Sequence, residues 1–68
     1  MEIKKRLRQL RQERHETQKT VAAAIGVTEQ HYQTFEYGKH LPSLEKFCDL
    51  ADHFGVSLDY LASRNDQR

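Results

Sequence analysis

With 68 residues, the chain has room for one domain with one hydrophobic core, because a chain this short buries only about 60% of its unfolded surface. Charged residues make up 31% and apolar residues 37%, a composition typical of a small soluble helical domain. No apolar run approaches the roughly 18 residues of a membrane-spanning helix, and no secretory h-region follows the basic start. The single cysteine, Cys48, excludes an internal disulfide framework, so we expect a cytoplasmic protein.

The charge is distributed unevenly although its sum is small. The net charge is only +1, but residues 1–39 carry eight Lys/Arg against five Asp/Glu, whereas residues 40–68 carry three against five. A basic half can face phosphate while an acidic half keeps the domain soluble. An ordinary solvated helical surface accounts for the same charges equally well, so the charge supports nucleic-acid binding only together with a motif.

The chain begins with an amphipathic helix over about residues 2–14. Ile3, Leu7 and Leu10 recur at helical spacing and predict its buried face. The outer face carries basic side chains, namely Lys4, Lys5, Arg6, Arg8 and Arg14. We expect this helix to bury one side and to leave a basic side in solvent.

Two short helices joined by a tight glycine turn follow. Thr17 is a typical N-cap for the second helix, and Gly26 ends it because glycine adopts the left-handed conformation without a Cβ penalty. The third helix, about residues 29–37, begins after Thr28 and ends at Gly38. The buried face of the second helix is apolar and is formed by Val21, Ala22 and Ile25.

Two further helices complete an all-α fold. Ser43 caps the fourth helix, which Gly55 ends, and Ser57 caps a short fifth helix. The fourth helix carries an apolar stripe, formed by Leu44, Phe47, Cys48, Ala51 and Phe54. We assign residues 1–61 to one domain and expect the polar C-terminal tail, residues 62–68, to fray.

The third helix carries apolar residues only at Tyr32 and Phe35, so most of its surface is left for a partner. A short helix that follows a tight turn, has two anchors and is otherwise polar is typical of the recognition helix that enters the DNA major groove. The sequence therefore predicts a DNA-binding protein.

Short pieces of sequence extend this motif over nearly the whole chain, from about residue 3 to residue 61. They are Leu10-Arg11, Thr17-Gln18, Ala22, Gly26-Val27, Phe35-Glu36, Gly38-Lys39, Pro42-Ser43-Leu44, Leu50-Ala51 and Phe54-Gly55-Val56-Ser57-Leu58-Asp59-Tyr60-Leu61. In their order and spacing these pieces resemble the phage repressor/Cro (XRE-like) helix-turn-helix family. The resemblance implies a compact five-helix, lambda-repressor-like domain with its helix-turn-helix at helices two and three. It also implies a sequence-specific regulator of transcription on double-stranded DNA, a repressor at an inverted-repeat operator.

The resemblance further implies a buried ion pair between Arg11, near the end of the first helix, and Glu36, at the end of the third. Three departures from the family pattern stand out. Tyr32 and Phe35 are aromatic where aliphatic residues are commoner, so we expect them to pack and to tilt the third helix slightly. Glu16 stands where the family mostly has an apolar residue, so we expect a thinner core at that corner. Glu29 suits the dipole of the third helix, but it repels phosphate unless it accepts from a cytosine amino group.

The exposed face and the N-terminal end of the third helix supply the candidate base contacts. By their position in the motif, these are Thr28, Glu29, Gln30, Gln33 and Thr34. Gln30 is the strongest candidate, since a carboxamide pairs bidentately with adenine N6 and N7. Alternatively, Gln30 is only a solvated helix residue, because glutamine is a common helix former.

Phosphate contacts are expected from the start of the second helix and from the loop after the third. Thr17 and Gln18 lie at a helix N-terminus, where free N–H groups and the helix dipole favour an anion. Tyr37 and Lys39 flank Gly38 and are expected to hold the backbone on the other side. Such contacts set register and affinity without reading the base sequence.

One module reads only about half a turn of DNA, so useful specificity implies a homodimer on half-sites roughly 34 Å apart. We expect the dimer interface at the C-terminal part of the domain, at Leu58, Tyr60 and Leu61. Alternatively, all three residues close the core. Leu58 and Leu61 are the more readily explained in that way, which leaves Tyr60 as the better interface candidate.

Other chemistries find little support in the sequence. Cys48 and His53 turn away from each other on one helix and the histidines show no zinc spacing, so we expect no metal, cofactor or small-molecule ligand. A domain this small has little room for a catalytic pocket, so we expect no enzyme. The competing hypothesis is a protein-interaction module with the same fold, either an adaptor or an antitoxin-like protein. Thr17-Gln18 and Gly38-Lys39 favour DNA, and a steep salt dependence of duplex binding would separate the two classes.

Overall fold

The fold consists of five short helices in a computed structural model that describes residues 2–68. The helices are α1 (Ile3–Glu13), α2 (Gln18–Ala24), α3 (Glu29–Glu36), α4 (Leu44–Phe54) and α5 (Leu58–Leu61). Among the described residues no strand is formed. α3 packs against α1 and α2, whereas α5 packs against α1 and α4. The all-α prediction, with five helices in this order, is confirmed.

The four helices after α1 begin at side-chain caps that the sequence predicts. In each, the cap hydroxyl accepts a hydrogen bond from the backbone N–H three residues further on. The caps are Thr17, Thr28, Ser43 and Ser57. Replacing such a cap by alanine typically costs about 1 kcal/mol of stability. These local contacts fix where each helix starts, and all four predicted caps are confirmed.

All five helices end in the same left-handed turn. One residue adopts a positive φ, and the N–H of the next residue returns to a carbonyl five residues back, as Val27 does to Ala22 at 3.0 Å. Glycine takes the positive φ in three helices, at Gly26, Gly38 and Gly55. In the other two, His15 and Ser63 adopt φ values of 55° and 60° without being glycine, which the sequence did not predict.

The core is formed by the apolar faces of all five helices. Its fully buried members include Leu7, Val21, Tyr32, Leu50 and Leu61. The predicted buried faces of α1 and α2 are confirmed. The predicted stripe of α4 is wrong at Leu44, which is 75% exposed because it is the first residue of the helix and lies beyond the edge of the core. Leu50, which the predicted stripe omitted, faces inward with Ala51 and Phe54 at helical spacing.

The residues after α5 fold back against α1, and their fraying in solution stays a prediction. Arg68 Nη2 donates to Glu13 Oε2 at 2.7 Å. Arg6 Nη2 donates to Asp66 Oδ1 at 3.1 Å. The ring of Tyr60 lies between the two guanidinium groups, 3.9 Å from that of Arg6 and 5.2 Å from that of Arg68. Opposite charges and cation–π contacts hold this polar segment, and its composition alone does not reveal them.

Candidate nucleic-acid interface

The α2–α3 unit has the geometry of a helix-turn-helix. α2 ends at the capping residue Ile25, Gly26 turns the chain with a φ of 75°, and Thr28 caps α3. Lys46 of α4 donates from Nζ to the carbonyl oxygen of Ile25 at 2.8 Å, which satisfies an acceptor at the end of α2. Val27, between the turn and the cap, packs against the core. The contact of Lys46 with the end of α2 and the packing of Val27 against the core therefore both hold the turn between α2 and α3.

α3 is held by two aromatic residues and exposes most of its remaining surface. Tyr32 and Phe35 are buried, and their rings meet edge to face with centroids 6.2 Å apart. The ring of His31 lies against Phe35 from the solvent side, at 5.0 Å. The sequence-based prediction that Tyr32 and Phe35 anchor α3 is confirmed.

The five predicted base-contact residues lie along the outer part of α3. The three at its start are exposed, namely Thr28, Glu29 and Gln30. Gln33 and Thr34 follow one turn later and are partly buried. The Thr34 hydroxyl donates to the carbonyl oxygen of His31 at 2.6 Å, so it is turned towards its own helix. Within residues 2–68 the Gln30 carboxamide makes no hydrogen bond, which leaves both of its polar atoms to solvent.

A buried carboxylate joins α1 to the end of α3. The Glu36 side chain is fully buried, and Arg11 donates to it from Nε at 2.6 Å and from Nη2 at 3.1 Å. Burial alone would raise the pKa of Glu36, but hydrogen bonds from Arg11 and Gln18 lower it below its ordinary value. The carboxylate therefore stays charged, and the bidentate pair fixes α3 against α1.

Gln18, at the start of α2, extends this network to the outer part of α3. Its Nε2 donates to Glu36 Oε1 at 3.2 Å, and its Oε1 accepts from Gln33 Nε2 at 3.1 Å. A predicted phosphate residue and a predicted base residue are thus bonded to each other across the turn. Sequence reasoning missed this contact, because two glutamines in separate helices carry no signal of pairing.

The hydroxyl of Tyr32 is buried, and among the described residues it has no hydrogen-bond partner. Burial raises the pKa of the Tyr32 phenol, and the neighbouring Glu36 carboxylate adds to the rise. The phenol therefore stays neutral over the ordinary pH range. The ring contributes packing, whereas the unpaired hydroxyl opposes burial.

Glu16, at the corner between α1 and α2, is held by polar contacts. Its Oε1 lies 3.1 Å from Arg14 Nε and 2.9 Å from His53 Nε2 on α4. Its backbone carbonyl accepts from Arg11 Nη1 at 3.0 Å. Burial raises the pKa of Glu16, but the contacts with His53 and Arg14 outweigh it, and the pKa lies below its ordinary value. An ionic cluster occupies the corner that was expected to be thin.

Three of the four predicted phosphate residues line one open hollow of about 580 Å³. They are Thr17, Gln18 and Tyr37. Tyr37 is 50% exposed and lines this hollow together with the start of α2, and Lys39 is exposed two residues further along the chain. Arg8 and Gln12 of α1 line the same hollow. These two residues were not among the predicted contacts, although their spacing of four along α1 marks a common face.

Two of the three predicted dimer residues are buried within a single chain. Tyr60 is 3% exposed and Leu61 is fully buried, so their assignment to a subunit interface is corrected. The guanidinium of Arg6 covers the ring of Tyr60. Tyr60 is therefore shielded from solvent although the segment that follows it is polar. Leu58 is 42% exposed and lies on the surface.

Residues 2–68 form neither a membrane span nor a cluster of metal ligands. No helix in this range is both long and apolar enough to cross a bilayer. The same residues bring together no group of three or more His, Cys, Asp or Glu side chains that would hold a metal ion. Cys48 is a half-buried free thiol on α4.

Comparison with known proteins agrees with this geometry. A helix-turn-helix family model matches residues 7–61, a range that includes all of α2, the turn and α3. The chain is also similar to the cryptic phage CTXphi transcriptional repressor RstR of Vibrio cholerae, with 36% identity over 64 residues. The aligned region is 94% of this chain and 57% of the relative, so the chain spans little more than half of the length of that curated protein. The resemblance to phage repressor/Cro proteins is thereby confirmed, and the chain belongs to the XRE-type helix-turn-helix family.

Proposed function

We propose that the protein binds double-stranded DNA in a sequence-specific manner and represses transcription by occupying its site. The observation that carries the proposal is α3, which is fixed by two buried aromatic residues and a buried ion pair while the start of its outer face is exposed. The family membership and the repressor name of the relative support it. Occupation of a promoter competes with polymerase and requires no catalysis.

In this proposal, α3 lies in the major groove and reads base edges. Gln30 is exposed and unbonded within the described residues, so its carboxamide is free to pair with adenine. Gln33 is already oriented by Gln18, which lowers the entropy lost when it contacts a base. Thr28, Glu29 and Thr34 complete the contact face.

Phosphate contacts come from the hollow beside the start of α2. Thr17, Gln18 and Tyr37 line it, and Lys39 follows on the exposed loop after α3. Contacts of this kind set the register of the protein on the duplex and supply most of the salt-dependent affinity.

A homodimer on an inverted repeat completes the proposal. One α3 reads about half a turn of DNA, and a two-fold pair spaces its half-sites roughly 34 Å apart. Tyr60 and Leu61 are buried and Leu58 on α5 is 42% exposed, so the proposal assigns the contact with a second copy to Leu58.

Selection from a randomised duplex pool at about physiological salt, followed by sequencing, tests the proposal. Enrichment of an inverted repeat with one-turn spacing between half-sites is the expected result. A single enriched half-site would retain DNA recognition but remove the dimer. A folded protein that enriches no sequence would overturn sequence-specific binding and favour a protein-interaction module.

Gln30→Ala is the matching test of base readout. On the selected duplex it should cost about 1–3 kcal/mol of binding free energy and relax the preference at one base pair. Gln67→Ala, at an exposed glutamine in the C-terminal segment, is the matched control and should change neither. An unchanged selected motif for Gln30→Ala would remove this residue from base readout.

A further inference from the structure

We infer that α1, which lies outside the helix-turn-helix, binds the phosphate backbone of the same duplex through a basic ridge formed by Lys4, Arg8 and Gln12. The inference rests on the proposed function and extends it. It assigns a role to a face of α1 that neither the recognition helix nor the predicted phosphate contacts include.

The three ridge residues are four positions apart and share one side of α1. From Lys4 to Gln12 the helix rises by about 12 Å. Lys4 reaches the loop after α3, because the position that a Cβ would take at Gly38 is 2.9 Å from Lys4 Cδ and 3.6 Å from Lys4 Nζ. Glycine at residue 38 thus leaves room for the lysine stem, and the ammonium lies beside a loop more than thirty residues away in the sequence.

Two adjoining hollows follow the ridge. The first, of about 510 Å³, is lined by Lys4, Lys5 and Arg8 of α1 together with Tyr37. The second, of about 580 Å³, contains Thr17 and Gln18 at the start of α2. Arg8, Gln12 and Tyr37 line both hollows. We call this continuous depression, from Lys4 to Thr17, the α1 groove.

The Lys4 end of the α1 groove is positively charged. Its wall carries three cations, of which Lys5 is 75% and Arg8 51% exposed at the side chain, and Lys5 Nζ lies 3.1 Å from the exposed carboxylate of Glu2. The carboxylate in this wall belongs to Glu36, which is fully buried and is neutralised by Arg11. Arg8 Nε lies 3.8 Å from Glu36 Oε1, too far for a hydrogen bond, so the Arg8 guanidinium keeps its donors for a ligand. At the other end, Glu16 and Glu29 line the groove. Glu16 is bonded to Arg14 and His53, whereas Glu29 opposes an anion there.

The ligand that fits is the DNA backbone rather than a separate anion. The α1 groove contains Thr17, Gln18 and Tyr37, so its basic end continues the surface already proposed to contact phosphate. One DNA strand carries one charge per about 3.4 Å of helix axis, so a ridge of about 12 Å faces more than one phosphate. In this inference the ridge binds phosphates alone, so its contribution to affinity is independent of the base sequence.

The salt dependence of binding by Lys4→Ala, Arg8→Gln and the double variant tests the inference. Dissociation constants are measured for the selected duplex and for an unrelated duplex over a range of salt concentrations. Each substitution should lower the slope of log K against log salt by about 0.9. If the curves meet at about 1 M salt, each substitution weakens binding roughly eightfold at about 0.1 M. Both duplexes should lose affinity alike, and the selected motif should not change.

Arg64→Ala is the matched control, since Arg64 is exposed and lines neither hollow of the α1 groove. Arg8→Lys should restore most of the slope, which separates loss of charge from loss of fold. Slopes equal to that of the wild type for Lys4→Ala and Arg8→Gln would overturn the inference, as would an equal change in Arg64→Ala. A wild-type protein that binds no duplex would overturn the proposed function itself. If the wild type binds and the variants bind equally well, only the inference about α1 fails.

Discussion

The two corners that flank α2 share one backbone geometry and are filled in opposite ways. At the α2–α3 corner, Gly26 adopts the positive φ and Val27 packs against the core. At the α1–α2 corner, His15 adopts the positive φ and Glu16 contacts His53 of α4. In both, a backbone N–H reaches back five residues and a threonine caps the next helix. The threonine cap and the backbone hydrogen bonds form the turn in both corners. The side chain after the left-handed residue, Val27 or Glu16, determines whether apolar packing or charge stabilises the corner.

The two corners differ in which solution conditions change their stability. Val27 is stabilised by removal of apolar surface from water, which responds little to pH or salt. Glu16 is stabilised by charge, so its contribution depends on protonation and on its partners. An apolar position in this fold therefore tolerates a carboxylate when a neighbouring helix supplies a histidine and the preceding turn supplies an arginine.

The largest effect is expected from Arg11→Ala. The Arg11 side chain binds both the α1–α2 corner, which we call the ionic corner, and the buried carboxylate at the end of α3. Arg11 donates two hydrogen bonds to the buried Glu36 and one to the carbonyl oxygen of Glu16. The free energy of unfolding should fall by about 3–5 kcal/mol, because an unpaired carboxylate is left buried. Urea denaturation near neutral pH measures the loss, and Arg64→Ala, at an exposed arginine of the C-terminal segment, is the control. A loss below about 1 kcal/mol would mean that Glu36 does not depend on Arg11.

Exchanging the turn residues should act with opposite signs at the two corners. Gly26→Ala should lower the free energy of unfolding by about 1–2 kcal/mol, because alanine is strained at this φ. The added methyl group meets only Lys46 Nζ, at 3.7 Å, so crowding does not contribute. His15→Gly should raise the free energy of unfolding by up to about 1 kcal/mol, since it relieves the same strain. Thermal and urea unfolding of both variants provide the comparison, and a shared sign would contradict it.

Glu16→Val should make the ionic corner behave like the apolar one. Because the folded-state pKa of Glu16 lies below the ordinary value of 4.5, its stabilisation is complete above that value and is lost as the pH falls through the folded pKa. Near neutral pH the substitution should change the free energy of unfolding by less than about 1 kcal/mol. Below pH 4.5 the variant should lose less stability than the wild type.

Unfolding midpoints measured over a series of pH values check this expectation. The variant should still lose some stability in acid, because the pKa of Glu36 is also lowered. Glu45→Val, at an exposed carboxylate on α4, is the matched control and should follow the wild-type profile. An acid profile of Glu16→Val identical to that of the wild type would show that the corner does not carry the pH dependence.

The smallest effect is expected from Tyr32→Phe, on the apolar side of the comparison. Its hydroxyl is the one buried side-chain polar atom within the described residues that lacks a partner. Removal should leave the free energy of unfolding unchanged or raise it by up to about 1 kcal/mol. Urea denaturation measures the change. A loss greater than about 1 kcal/mol would indicate that the hydroxyl donates to Glu36 in solution.

The features that residue patterns alone predicted correctly are local, whereas the distant Arg11–Glu36 pair was implied by the family resemblance. A threonine or serine before an apolar pattern and a glycine after it define the limits of α2, α3 and α4, because cap and turn involve residues within a few positions of each other. The anchoring of α3 by Tyr32 and Phe35 follows from helical spacing for the same reason. The left-handed residues His15 and Ser63 are the exceptions, since neither turn contains the glycine that would have predicted it.

The polar contacts that were missed join distant parts of the chain. Gln18 and Gln33 are 15 positions apart, and Glu16 and His53 are 37 apart. The burial of Tyr60 depends on where Arg6 and Arg68 lie, at opposite ends of the described chain. A polar side chain can be hydrated by solvent or hydrogen-bonded to a distant residue. Sequence spacing alone does not distinguish these two environments.

The hydrogen bond between Gln18 and Gln33 ties two positions on different helices into one unit. A replacement at Gln33 frees the carboxamide of Gln18 to rotate, and with it a donor to Glu36. An arginine or serine introduced at residue 33 would therefore meet a Gln18 side chain whose orientation has also changed. Engineered libraries that randomise α3 alone would hold the second partner of this unit fixed. Varying residues 18 and 33 together opens combinations that neither position offers by itself.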